Sequence, residues 1–174
     1  LGKREVGKEL LAEALATQPD YVPARLADIR EAASSQDMTG ARSKIDALLL
    51  KHPSNPEALL IKGSLLSFDG DASGALVEYR KAIDAKPSYL AAHSAAITSL
   101  LAANKVDDAV KQLEALKTVA PKHPQTFYFD AQVKYQRKEF KAAREPAQQL
   151  LRVSPNNPMA LQVAGAIEFQ LRSY

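Results

Sequence analysis

The side chains that could do chemistry in this chain are few and scattered. His52, His93 and His123 are its three histidines, and none has a carboxylate or a second histidine beside it at the spacing a metal site requires. The serines lack a nucleophile elbow, and no glycine-rich phosphate loop appears. Cysteine is absent, which removes disulfides and thiolate chemistry. Catalysis therefore finds no support, and neither a cofactor nor a metal is expected. A set of aromatic and amide residues towards the C-terminal end offers a different chemistry: Tyr128, Gln132, Tyr135, Gln136, Gln162, Phe169 and Gln170. Tyrosine supplies apolar area with a polar tip, and glutamine can pair with an exposed backbone, which suits gripping an extended peptide. Carbohydrate binding would use similar residues.

Composition narrows the partners. With 46% hydrophobic and 25% charged residues the chain can bury a core. Its formal net charge of +3 is dispersed along the sequence, whereas nucleic-acid binding usually needs basic residues gathered on one face. No nucleic-acid partner is expected. No stretch approaches the ~18 continuous apolar residues of a membrane span, and the opening residues Leu1-Gly2-Lys3-Arg4-Glu5 read as the middle of something rather than as a leader.

The elements that position these residues are set by a repeat. Pro19, Pro53, Pro87, Pro121 and Pro155 follow one another at intervals of 34 residues without a slip. Counting each as position 32 of a unit, position 20 holds Gly7, Ala41, Ala75, Ala109 and Ala143. Position 24 holds Leu11, Ile45, Tyr79, Leu113 and Ala147, and position 27 holds Ala14, Leu48, Ala82, Leu116 and Leu150. Position 8 holds Ile29, Gly63, Ile97, Ala131 and Gly165. Small residues at positions 8 and 20 let two helix backbones approach towards the short end of the ~8–10 Å interaxial range. Each position-32 proline disfavours helix in the residue before it. Pro56, Pro124 and Pro158 then restart the chain at position 1, with Asn55 and Asn157 as ready N-caps. Pro146 breaks the rule at position 23 and predicts a bend or a distorted first turn near 142–146.

This register resembles the tetratricopeptide repeat (TPR) family, whose unit is a pair of antiparallel helices, A and B. The unit 56–89 is the most faithful, with Gly63, Gly70, Ala75, Tyr79, Ala82 and Pro87 in place. Position 4 is looser: Arg25, Leu59, His93, Phe127 and Leu161 stand where the family favours a large aromatic, so a core role for His93 outweighs metal binding. The resemblance implies an all-α fold, a right-handed α-solenoid of helix-turn-helix repeats (an αα superhelix). A partial unit with helix B alone occupies 1–21. Full units occupy 22–55, 56–89, 90–123 and 124–157, and a final helix A occupies 158–174. Tyr174 falls where the inter-helix turn of another unit would run. These ends are expected to belong to a longer repeat protein and to be able to self-associate through uncapped apolar faces.

In such arrays helix A faces the concave surface, and positions 2, 5, 9 and 12 share one helical face. The ligand-binding groove implied is lined by Arg30, Leu60, Ser64, Thr98, Tyr128, Gln132, Tyr135, Gln136, Gln162 and Phe169. Family members that grip a chaperone's C-terminal carboxylate use lysine at position 5 and asparagine at position 9, then further asparagine, lysine and arginine in the next unit. This chain lacks that set, and Arg30 is its one clear groove cation. Packing between repeats competes as a role for Phe129 and Phe169, and for Tyr128 and Tyr135. The run Arg137-Lys138-Glu139-Phe140-Lys141 reads as a solvated turn, with an acidic partner as the sharper alternative.

The closing stretch, Phe140-Lys141-Ala142-Ala143-Arg144 through Leu150-Leu151-Arg152-Val153-Ser154-Pro155-Asn156-Asn157-Pro158 to Gly165-Ala166-Ile167-Glu168-Phe169-Gln170-Leu171, looks like the long TPR lipoprotein of bacterial PEP-CTERM/exosortase systems. That likeness implies an exported, lipid-anchored parent associated with exopolysaccharide production. The function expected is a non-catalytic scaffold for a protein or peptide partner. The alternative is a recognition module of a larger enzyme such as a glycosyltransferase.

Overall fold

Proline and side-chain caps decide where the helices begin. In the computed structural model, which describes residues 2–172, the helices are α1 (Lys3–Thr17), α2 (Val22–Ser34), α3 (Met38–Lys51), α4 (Pro56–Phe68), α5 (Ala72–Ala85), α6 (Leu90–Ala102), α7 (Val106–Val119), α8 (Pro124–Gln136), α9 (Phe140–Val153) and α10 (Pro158–Arg172). Leu1 and Tyr174 lie outside the described residues. The described residues contain no strand. Helices α1–α5 form one compact unit ending at Lys86, and α6–α10 form a second beginning at Pro87.

Pro56 and Pro124 open α4 and α8, and the Asn55 carboxamide accepts from Ala58 N at 2.9 Å. Each B helix ends at position 30, one residue before a cap with φ between −131° and −144°. The position-32 proline follows that cap, and the cap's extended geometry is what a residue preceding proline adopts. Its N–H still bonds four residues back, as from Lys86 to Ala82 O at 3.0 Å.

The reversal from helix A to helix B rests on a single dihedral. Gln36, Gly70, Asn104 and Lys138 have φ of 66°, 84°, 55° and 60°, and all four occupy position 15. The next residue's N–H reaches back five residues: Asp37 to Ala32 O at 2.9 Å, Asp71 to Leu66 O at 2.9 Å, Lys105 to Leu100 O at 2.8 Å and Glu139 to Lys134 O at 2.9 Å. This is the Schellman arrangement, with the left-handed residue just past the helix end. Only Gly70 avoids the Cβ penalty of that conformation, ~1–2 kcal/mol for an L residue.

The core follows the register. Ala41, Ala75, Ala109 and Ala143 at position 20 have no exposed surface at all. Positions 8 and 24 are buried on the paired helices: Ile29 and Ile45 share one core cluster, Ala131 and Ala147 another, Tyr79 lies against Gly63, and Ile97 and Leu113 are both buried. A Cβ on Gly63 would lie 2.4 Å from Tyr79 Cε1 and 3.1 Å from the Ala75 carbonyl oxygen, so the tyrosine ring fills the room the glycine leaves. The pairs α4–α5 and α8–α9, with glycine or alanine at position 8, bring more backbone within 8 Å than α2–α3 and α6–α7, where Ile29 and Ile97 stand there. Gly7 and Gly165 differ from this expectation, because no atom within 4 Å would meet a Cβ at either. Pro146 does not interrupt its helix: α9 runs from Phe140 to Val153 with the proline ring buried. The missing N–H removes one bond, and burial of the ring sits beside Ala143, Ala147 and Leu150.

Candidate functional site

The helix-A residues fall into two sets, one in each unit. In the first unit Arg30 projects from α2 and forms an ion pair with Glu57 of α4. Its charge is therefore paired within the protein, while the side chain stays half exposed. Leu60 is half-buried, and the Ser64 hydroxyl donates back to the Leu60 carbonyl at 3.0 Å. Further ion pairs link neighbouring helices of this unit, including Lys44 with Asp28 at 2.8 Å, Lys62 with Asp46 at 2.8 Å, and Arg42 with Asp69.

The second unit carries the aromatic and amide set. On α8, Gln132 Nε2 donates to the Tyr128 hydroxyl at 3.2 Å, and Gln136 Nε2 donates to the Leu101 carbonyl at 3.5 Å. The Tyr128 ring meets Phe129 edge-on, centroids 5.2 Å apart at 71°, and Tyr135 meets Phe140 at 5.3 Å and 65°. Both tyrosines also pack on the cluster containing Ala131, Ala143, Ala147 and Leu150. Their rings are thus fixed at one edge and half open at the other, a preorganised surface that costs little entropy to engage. Phe129 is buried and belongs to the core, whereas Phe169 keeps 69% of its surface exposed on α10. Gln162 is an exposed α10 position, and Thr98 an exposed α6 position.

Thr98 and Tyr128 come together around a depression of about 370 Å³ where α6, α8 and α10 converge. Gln125, Asn157 and Met159 complete its rim. Sequence reasoning placed position 2 on this face yet passed over its occupants Gln125 and Met159. Position 2 was the available signal, but nothing in one dimension says that three successive A helices enclose a space. Lys117, on the neighbouring α7, sits between Glu114 and Asp130 at 3.0 and 3.4 Å. Burial alone would lower its pKa, but the two carboxylates outweigh this and hold it above the ordinary lysine value.

The histidines have structural partners. His93 is 1% exposed; one ring nitrogen lies 2.8 Å from the Pro87 carbonyl and the other 2.7 Å from Gln112 Nε2. A neutral ring with its proton on Nε2 satisfies both, donating to Pro87 O and accepting from the amide. Arg25 at the same position donates to Pro19 O at 2.5 Å, and Thr126 one position earlier donates to Ala120 O at 2.7 Å. A polar residue in the first turn of helix A thus ties that helix to the carbonyl at position 31 or 32 before it. His123 caps α8, its Nδ1 accepting from Gln125 N at 3.2 Å. Among the described residues no group of three or more His, Cys, Asp or Glu is placed to hold a metal. In the turn 137–141, Arg137 pairs with Glu139 at 3.3 Å.

Comparison with known proteins places this architecture. Solved structures similar to it include a tetratricopeptide repeat protein from Parabacteroides merdae, at TM-score 0.77 and 15% identity over 94% of this chain and 65% of that one. YrrB, described as a TPR protein with an unusual peptide-binding site, matches at TM-score 0.69 and 17% identity over 92% and 83%. The first TPR of Spaghetti, bound to the HSP90 peptide SRMEEVD, matches at 0.62 and 17% over 68% and 94%. No curated protein matches significantly. Two family models, both described as tetratricopeptide repeat, match residues 26–89 and 69–128, which together span more than half of the sequence. The chain belongs to the tetratricopeptide repeat family.

Proposed function

We propose that the protein is a non-catalytic interaction scaffold that holds an extended segment of a partner protein against the helix-A face of its second unit. The observation that carries this is the α8 surface: Tyr128 and Tyr135, one edge locked in packing and the other open, with Gln132 and Gln136 presenting amides alongside. Rigid half-open tyrosines give contact area at low entropic cost, and amides match the hydrogen-bonding groups of an extended backbone. Two similar folds, Spaghetti with its bound peptide and YrrB with its peptide-binding site, support the reading. The helix-A face of the first unit contributes less, because Arg30 is engaged by Glu57.

The setting we propose is a bacterial envelope assembly linked to exopolysaccharide production, within a lipid-anchored parent of the PEP-CTERM/exosortase type. This rests on the wording of residues 140–171, and a gene whose start encodes no lipidated cysteine would refute it. The groove assignment is tested by crosslinking partners to the chain carrying Tyr128→Ala, Gln132→Ala and Tyr135→Ala together. Loss of the crosslinked species is expected; an unchanged pattern in a folded variant would remove α8 from the interface.

A further inference from the structure

The depression between α6, α8 and α10 has a chemical bias that can be read from what surrounds it. None of its lining residues is charged. A carboxylate entering it would need either a cation or free backbone N–H groups at a helix N-terminus. The N-termini of α8 and α10 border the space, but their donors are already committed. Pro124 and Pro158 have no N–H. Gln125 N donates to His123 Nδ1 at 3.2 Å, and Thr126 N and Phe127 N to His123 O at 2.9 and 3.3 Å. Met159 N and Ala160 N donate to Asn157 Oδ1 at 2.9 and 3.4 Å, and Leu161 N to Asn157 O at 3.1 Å. The depression therefore holds neither a cation nor a free backbone N–H to answer a full negative charge, only neutral hydroxyl and amide donors. It does offer the Tyr128 ring, the Met159 thioether and the Leu150 side chain as apolar walls, with the Thr98 hydroxyl and the Gln125 amide available at its edge. At about 370 Å³ it falls within the ~300–1,000 Å³ range of ligand pockets.

We infer that this pocket is the specificity-determining subsite of the peptide face: it takes one uncharged, bulky apolar side chain of the bound segment, of the leucine, methionine or phenylalanine class, and rejects aspartate and glutamate. This rests on the peptide-binding reading above and adds the identity of the anchor to it. Methionine at the rim adapts to differently shaped apolar side chains, so the class rather than a single residue is selected. The threonine and glutamine would fix the backbone on either side of the anchor.

The test is selection of a random twelve-residue peptide phage library on the chain, repeated on Thr98→Trp, Met159→Lys and the Tyr128/Gln132/Tyr135 alanine variant, each checked for helicity and thermal unfolding. The expected result is enrichment of Leu, Met or Phe at one aligned position, with Asp and Glu depleted there. Peptides carrying that anchor should lose tenfold or more in affinity on Thr98→Trp, which fills the space. Met159 is half exposed, so Met159→Lys is expected to fold and should shift selection towards an acidic residue at the same position. Enriched peptides that need Tyr128, Gln132 and Tyr135 but show no apolar anchor, or an acidic one on the unaltered chain, would overturn the pocket while leaving the face intact. Enrichment indifferent to the triple alanine variant would defeat both.

Discussion

The two units obey one register but complete their turns with different chemistry. In the first, Asp37 and Asp71 cap α3 and α5, accepting from Gly40 N and Gly74 N at 2.9 Å. In the second, Lys105 and Glu139 stand at the same position without a capping hydrogen bond. The backbone reversal is nevertheless alike in all four hairpins: a left-handed residue followed by an N–H reaching five residues back. Comparison separates what makes the turn from what strengthens it. Backbone geometry makes it, and the aspartates add stability to the unit that has them. The faces diverge in parallel. Both units join helices by ion pairs, Arg30 with Glu57 in the first and Lys117 with Asp130 and Arg144 with Glu168 in the second, but the second also sets half-buried tyrosines beside glutamines on α8.

The largest test of this contrast concerns glycine. Gly63→Ala forces a methyl into Tyr79 and the Ala75 carbonyl and is expected to destabilise by ~2 kcal/mol. Gly165→Ala meets open space within a helix and should stabilise by ~1 kcal/mol. Urea denaturation of the two variants reads both signs, and a common sign would show that position 8 does not control spacing.

Caps come next in size. Asp71→Ala should cost about 1 kcal/mol, whereas Lys105→Asp, which installs the missing acceptor in the second unit, should gain about as much. Thermal melts decide this; a neutral Lys105→Asp would mean that the turn of α6 and α7 cannot present its N–H groups as the turn of α4 and α5 does. Smallest is Arg30→Ala. An exposed ion pair is worth ~0–1 kcal/mol, so the loss should be slight and should shrink as salt is raised. A loss of several kcal/mol that persists in high salt would make the pair structural.

Much of the fold was legible because it depends on residue type at fixed spacing. Only a small residue fits at position 20, so Ala41, Ala75, Ala109 and Ala143 announce the helix contact, and the prolines announce the helix ends. The turns were legible at Gly70 and, by type, at Asn104, whereas Gln36 and Lys138 enter the left-handed region without a residue that advertises it. The pairing of Arg30 with Glu57 joins residues 27 apart on different helices and leaves no local trace. On the candidate face, tyrosine and glutamine drew notice by type. Met159 did not, because its part follows from three helices converging.

The sharing of space between Gly63 and Tyr79 has an evolutionary consequence. At that level one hairpin sets a phenol ring against no side chain, another holds isoleucine and leucine, and a third has alanine on both helices. Natural drift at Gly63 or Tyr79 alone is blocked by its counterpart, so the two must change as a couple. A lineage passing between the first two arrangements has to cross a variant that is either overfilled or hollow.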